Sequence, residues 1–401
     1  MTATVQTGGR DLRVIGLIGA GHFLSHFYML ILPPLFPVLK AELGVGYAAL
    51  GLLATTFAVV SGVTQIPVGF LVDRFGARPI LIAGLVLESA AIIGMGLTGS
   101  YYALLVFAAV AGLANSVYHP ADYAIISANI GERRIGRAFS LHTFCGYAGN
   151  AAAPLTILAA HQLWGWQNAL IAAGCVGLVV ALAMLLNADA LDSNNGRSGS
   201  KPEATTGPAA ADGARLLLSA PILMCFLFFV MLAMSSSGLS NFGIAAFVAV
   251  FEMPLTDASA ALTAFLVGGA LGILLGGIIA DRTTRHAAVA MAGFGATACL
   301  ILLVGNVAMP ILILIGVLSL AGILHGMIMP SRDMLVRAVT PPGSMGKVFG
   351  FVSTGLNVGS AITPAIFGWI MDRGDPQIVF WLSALFMLGA LATVVGAKAA
   401  R

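Results

Sequence analysis

Apolar residues in this chain come in long runs broken by short polar stretches, with no strand-like alternation. The runs cover residues 14–39, 48–72, 78–98, 101–127, 136–161 and 166–186, then 216–250, 258–280, 285–304, 309–336, 345–371 and 377–397. A helix needs roughly 20 residues to cross a bilayer core about 30 Å thick, and each run is near or above that length. The pattern predicts an all-α membrane protein of twelve transmembrane helices. Arg10 and Arg13 precede the first run, but it is too long for a signal-peptide core and no small-residue cleavage site ends it, so it reads as a retained helix.

Composition agrees: 59% of the residues are hydrophobic and 9% charged, against about 25% charged in a soluble domain. With the N-terminus placed inside, sixteen Lys and Arg residues fall on the cytoplasmic side and two, Lys40 and Arg373, outside. That bias sets both termini in the cytoplasm of a bacterial inner membrane. Trp164, Trp166, Trp369 and Trp381 all fall near the outer interface, as an aromatic belt would. Cys145, Cys175, Cys225 and Cys299 have neither paired nor metal-ligand spacing and read as core fillers. The net charge of +3 is the topological bias and calls for no nucleic-acid partner.

Residues 187–215, "NADALDSNNGRSGSKPEATTGPAAADGAR", have linker composition. They separate a first six-helix bundle, 1–186, from a second, 216–401. Sliding one half over the other by 210 positions sets "GLANSVYHPADY" (112–123) on "GILHGMIMPSRD" (322–333) and "GRAFS" from Gly136 on "GKVFG" from Gly346. The same offset matches Gly149 to Gly359 and Pro154 to Pro364; an offset of 208 sets "GFLVDR" from Gly69 on "GIIADR" from Gly277. Two parallel repeats of six helices are the expected result.

"GFLVDRFGARP", residues 69–79, resembles the signature between helices two and three of the major facilitator superfamily, and "LPPLFPVLK" and "SVYHP" resemble its fosmidomycin-resistance-like branch of drug transporters. The resemblance implies two pseudo-symmetric six-helix bundles, a cavity lined by helices one, four, seven and ten, and a cytoplasmic latch favouring the outward-open state. Gly69, Asp73, Arg74, Arg78, Asp281 and Arg282 match the latch; its aspartates could accept hydrogen bonds from a neighbouring helix start, and Gly69 and Gly277 would allow close approach. The sequence departs from the antiporter signature of helix four, which has an arginine where Ala108 stands.

Ionisable side chains inside the spans are costly in hydrocarbon and mark pathways, cavities or partners. They are His22, His26, Glu88, His119, Asp122, His142, His325, Arg332 and Asp333. Steps of three, four and seven put His22 with His26, Asn115 with His119 and Asp122, and His325 with Arg332 on shared helix faces. Substrate contacts are expected from His26, Asn115, His119, His325 and Arg332, and proton coupling from His22, His26, His119 and Asp122, since histidine titrates near pH 6.5. Rise along the helix places Asp122 near the cytoplasmic limit, where an ion pair with Arg332 would act as a gate, with Asp333 the competing partner. Glu88, on helix three, reads either as a packing or interface residue or as a functional one, and His142, on helix five, as a satisfied buried histidine. The chain lacks a phosphate-cradling nucleotide loop, and the histidines of helix one lack the glutamate of a zinc protease motif, so no enzyme, cofactor or metal is expected. The reading is a monomeric secondary transporter moving a small molecule against protons, by antiport outward or by symport of an organic anion inward.

Overall fold

In the computed structural model of the protein, residues 3–192, 215–283, 285–341 and 345–399 are described. They are almost wholly helical, and no strand occurs among them. The first half runs α1 (Ala3–Met29), a 3-10 turn (Pro33–Leu35), α2 (Phe36–Leu43), α3 (Tyr47–Phe75), α4 (Ala77–Gly96), α5 (Tyr101–Asn115), α6 (Tyr118–Asn129) and α7 (Glu132–Leu186). The second half runs α8 (Ala220–Phe251), α9 (Leu255–Arg282), α10 (His286–Asn306), α11 (Ile311–Val339), α12 (Met345–Asp372) and α13 (Ile378–Ala399). Twelve crossings result: α1 with α2 makes one, α5 with α6 another, and α7 is two helices joined at Gly165. Gly165 has φ 79°, a conformation that glycine adopts without the steric cost of a Cβ.

Helix four differs from its expected continuous run, because α5 ends at Asn115 and α6 begins at Tyr118. Pro120 has no N–H to offer the carbonyl of Ser116, so the ladder is short of a bond there. Trp166 corrects the aromatic-belt expectation. It is 1% exposed and its indole N–H donates to the Glu42 carboxylate, which satisfies it inside the protein, whereas Trp164, Trp369 and Trp381 are exposed. Of the cysteines, Cys225 is buried but Cys175 and Cys299 are exposed on their helices, so only part of the set fills the core.

The chain divides into two compact units, Met1–Val45 with Thr56–Lys201, and Gly46–Thr55 with Pro202–Arg401. Within the second unit the Asp372 carboxylate accepts from the backbone N–H groups of Tyr47 (2.7 Å) and Ala48 (2.8 Å), and the Thr55 hydroxyl donates to the Ala361 carbonyl at 2.8 Å. Residues 193–214, most of the expected linker, lie outside the described residues.

The repeat is visible in the packing. A Cβ on Gly112 would collide with the Phe57 carbonyl, and one on Gly322 with the Phe265 carbonyl. Likewise Gly149 meets the Phe23 carbonyl and Gly359 the Val230 carbonyl. In each unit, then, the same pairs of helices approach to backbone contact at matched positions, which small residues permit in a membrane. The outward sides of these helices carry exposed large side chains such as Val63, Phe70, Tyr102 and Leu312, a surface suited to lipid.

Candidate functional site

In the first unit, helix periodicity brings polar faces of α1, α6 and α7 together. Asp122 is fully buried; its Oδ2 lies 2.9 Å from His142 Nε2 and 3.2 Å from His22 Nδ1. The first contact is a hydrogen bond, whereas the second lies off the line of one. The His22 and His142 rings stack with centroids 3.6 Å apart and planes 25° apart. His26 and His119 stand edge-on to His22, at 4.8 Å and 5.3 Å. His26 Nδ1 is 3.0 Å from Asn150 Nδ2 on α7.

Glycine makes the room for these rings. A Cβ on Gly146 would sit 2.9 Å from His22 Nε2 and from two atoms of the His26 ring. His142, Gly146, Gly149 and Asn150 thus form one face of α7, fitted to α1. His142, expected as a satisfied buried histidine, is the nearest partner of Asp122. Its spacing from Gly146 and Asn150 was the available signal.

A second network adjoins this one. Asn115 Nδ2 donates to Glu88 Oε1 at 3.1 Å and to the Ser25 carbonyl at 3.3 Å, while the Tyr118 hydroxyl donates to Glu88 Oε2 at 2.7 Å. Glu88 is 0% exposed and accepts from two residues of helix four. Contact with His22 sets Asp122 in the same layer as the histidine rings.

The second unit fills the equivalent positions differently. Val230 and Phe23 occupy matched places 207 positions apart, which puts Phe229 where the first half has His22. The helix-four offset of 210 puts Arg332 where it has Asp122. The paired positions touch in both units: the Arg332 guanidinium lies 4.5 Å from the Phe229 ring centroid. Its Nε and Nη2 are each 2.9 Å from Asp333 Oδ1, and its side chain is 15% exposed. His325 Nε2 is 3.2 Å from the Ser236 hydroxyl. Each charge expected to form the Asp122–Arg332 gate pair therefore has a partner inside its own unit: His142 and His22 for the acid, Asp333 for the base.

At the expected latch, Asp73 and Arg74 are exposed, and Arg74 lies 5.2 Å from the Phe75 ring. Arg78 Nη1 donates to the Ala188 carbonyl at 3.2 Å. No side chain caps the start of α4 at Gly76, so the expected aspartate-to-helix bond is not made there. Nothing within 4 Å would oppose a Cβ on Gly69 or Gly277, so close approach does not require these glycines in this conformation. Arg282 is exposed, and the side chain of Asp281 lies outside the described residues.

Among the described residues one group of side chains could reach a metal ion: one ligand atom each from His22, Asp122 and His142 lies within 4.8 Å of the others. The stacked rings argue against it. An imidazole binds through an in-plane lone pair, and two planes 25° apart at 3.6 Å do not aim theirs at a common point. The cluster suits a proton instead, since four imidazoles surround one buried carboxylate.

A family model described as Major Facilitator Superfamily matches residues 18–255 and 228–399. The chain is 24% identical over 387 residues to the fosmidomycin resistance protein of Escherichia coli K12, covering 95% of this chain and 92% of that one. It is 27% identical over 400 residues to an uncharacterised transporter of Bacillus subtilis (97% and 94% covered). It is also 24% identical over 418 residues to a probable sulfoacetate transporter of Cupriavidus necator (95% and 92%). Among solved structures, a bacterial homologue of the human lysosomal transporter Spinster, inward-facing and unoccupied, superposes with TM-score 0.74 at 16% identity (98% and 95% covered). The nucleoside transporter NupG superposes with TM-score 0.79 at 14% identity (97% and 99%).

Proposed function

The chain belongs to the major facilitator superfamily, secondary transporters that work by alternating access, and from that premise we propose that it exports a small drug-like solute or organic anion in exchange for protons. The observation that carries the coupling is the carboxylate of Asp122, wholly buried and set between His142 and His22. Such a group exchanges a proton with adjacent imidazoles at little structural cost, and it sits in the same layer as His26 and His119. His26, Asn115, His119, His325 and Arg332 contribute substrate contacts.

Proton symport of an organic anion inward is the second reading, favoured by Arg332. Its guanidinium is partly exposed and stacked on Phe229, so it could offer a donor to an incoming anion. The Cupriavidus relative, a probable sulfoacetate transporter, points the same way. In both readings the protein is a monomer of the bacterial inner membrane with cytoplasmic termini, bundles spanning 1–186 and 216–401, and Gly69, Asp73, Arg74, Arg78, Asp281 and Arg282 as the latch residues of their respective halves.

Proteoliposomes with an imposed pH gradient test the reading, with fosmidomycin and sulfoacetate as first probes. Accumulation of a probe should follow the gradient and vanish when it is collapsed. Transport of the same size with and without the gradient would reject proton coupling.

A further inference from the structure

Helix four is interrupted by a two-residue turn, Ser116 and Val117, both still in right-handed helical conformation, and its counterpart, helix ten, is not, although proline occupies the same repeat position in both. α5 stops at Asn115 and α6 starts at Tyr118, near Pro120, whereas α11 runs unbroken from Ile311 to Val339 through Pro330. Proline alone therefore does not account for the break. What the first half has and the second lacks is Glu88, which holds the two sides of the break separately. Oε1 accepts from Asn115, the last residue of α5, and Oε2 accepts from Tyr118, the first residue of α6. The equivalent place on α10 belongs to Thr297, whose hydroxyl donates to the Gly293 carbonyl of its own helix at 2.8 Å. It has no second oxygen with which to bridge a break.

The clamp is tied to its surroundings. Asn115 bonds the Ser25 carbonyl of α1 and accepts from the Ser61 hydroxyl of α3 at 3.3 Å. A Cβ on Gly84, one turn before Glu88, would collide with Val117, so α4 sits directly against the break. The titratable groups facing Glu88 are Tyr118 on α6 and Tyr28 on α1, with Cys175 of α7 beyond Tyr28. Among the described residues no basic side chain pairs with it.

We propose that Glu88 is a positioning residue of the transport cycle, a carboxylate whose protonation weakens the clamp on helix four and lets α6 move against α5. An ionised carboxylate accepts both bonds at once. A proton arriving on Oε2 becomes an O–H that donates to the Tyr118 oxygen, and the phenol hydrogen, in a site 1% exposed, then loses its acceptor. The clamp is kept on Asn115, while on Tyr118 a charge-assisted bond is exchanged for a neutral one of reversed direction and the phenol hydrogen is left without its acceptor. Because α6 carries His119 and Asp122, weakening that side re-aims the histidine cluster. The inference rests on the proton-coupled reading for the origin of that proton, but its geometry stands apart from it.

The test is the distance between spin labels at Leu113→Cys on α5 and Ser127→Cys on α6, both exposed positions, with the four native cysteines replaced. With Glu88 present, the ratio of two distance populations should change about tenfold between alkaline and acidic buffer, the factor for one charge-assisted hydrogen bond reduced to a neutral one. Glu88→Gln should hold that ratio constant across pH. Tyr118→Phe, which removes one side of the clamp, should give the acidic distribution at every pH, and it tests the idea even if the glutamine variant does not fold. A pH-dependent shift that survives Glu88→Gln, or no shift in the parent protein, would overturn the proposal. If either occurs while a pH gradient still drives transport, Glu88 alone is rejected; an intact shift without driven transport rejects proton coupling and leaves the clamp standing.

Discussion

Replacing Asp122 with asparagine keeps the side-chain volume and removes the charge at the centre of the histidine cluster. The carboxylate is 0% exposed and serves both His142 at 2.9 Å and His22 at 3.2 Å through one oxygen. An amide oxygen can still accept from His142, but it no longer offers a charge, and each hydrogen bond to a charged group is worth about 1.5–3 kcal/mol. Folding should therefore survive with a loss of that order. Coupling should not survive. A pH gradient of one unit is worth about 1.4 kcal/mol per proton, which sustains roughly tenfold accumulation for each proton exchanged. Radiolabelled probe in proteoliposomes should reach that ratio with the parent protein and only about onefold with Asp122→Asn. Exchange at equal pH on both sides should persist, since that process needs no net proton movement. Full gradient-driven accumulation by Asp122→Asn would refute the assignment of the coupled proton to this cluster.

Further outcomes follow from the same geometry. Gly146→Leu, which gives the first half the residue that the second half carries at Leu356, should displace His22 and His26 and cost about 1–3 kcal/mol in thermal stability, read by melting in detergent; an unchanged melting point with intact coupling would contradict the packing argument. Arg332→Lys keeps the charge but loses the flat stack on Phe229 and the two-nitrogen contact with Asp333, so binding of an anionic probe should weaken about tenfold or more by equilibrium dialysis, with neutral probes unaffected. Cysteines at Ser200 and Lys398 should resist an impermeant thiol reagent in intact cells, and labelling from outside at either would reverse the orientation.

The spans, the two-fold repeat and the membrane class were legible because each is written in single-chain periodicity. Runs of apolar residues fix crossings, and one offset held across Gly112, Pro120, Gly149 and Pro154 marks the repeat. The list of ionisable residues within the spans included His22, Glu88, Asp122 and His142, all buried, but not the buried Asp11, and their grouping was not readable. Glu88 and His142 lie on helices three and five, and spacing along one helix says nothing about which neighbour it faces across a bundle. The break in helix four was hidden for a related reason: Pro120 and Pro330 look alike in sequence, and only the carboxylate packed beside one of them separates the two cases. Trp166 carries the same lesson, since the Glu42 carboxylate that holds it inside lies far away along the chain.

The direction of proton movement during substrate transport tests the central claim most directly. Purified protein in liposomes enclosing a pH-sensitive dye, with probe supplied at equal pH on both sides, reports proton flow as substrate moves down its own gradient. Antiport predicts that inward movement of substrate carries protons out and makes the lumen alkaline, and that Asp122→Asn abolishes the signal while substrate exchange continues. Acidification would favour the symport reading, and transport with no pH change in either protein would contradict proton coupling altogether.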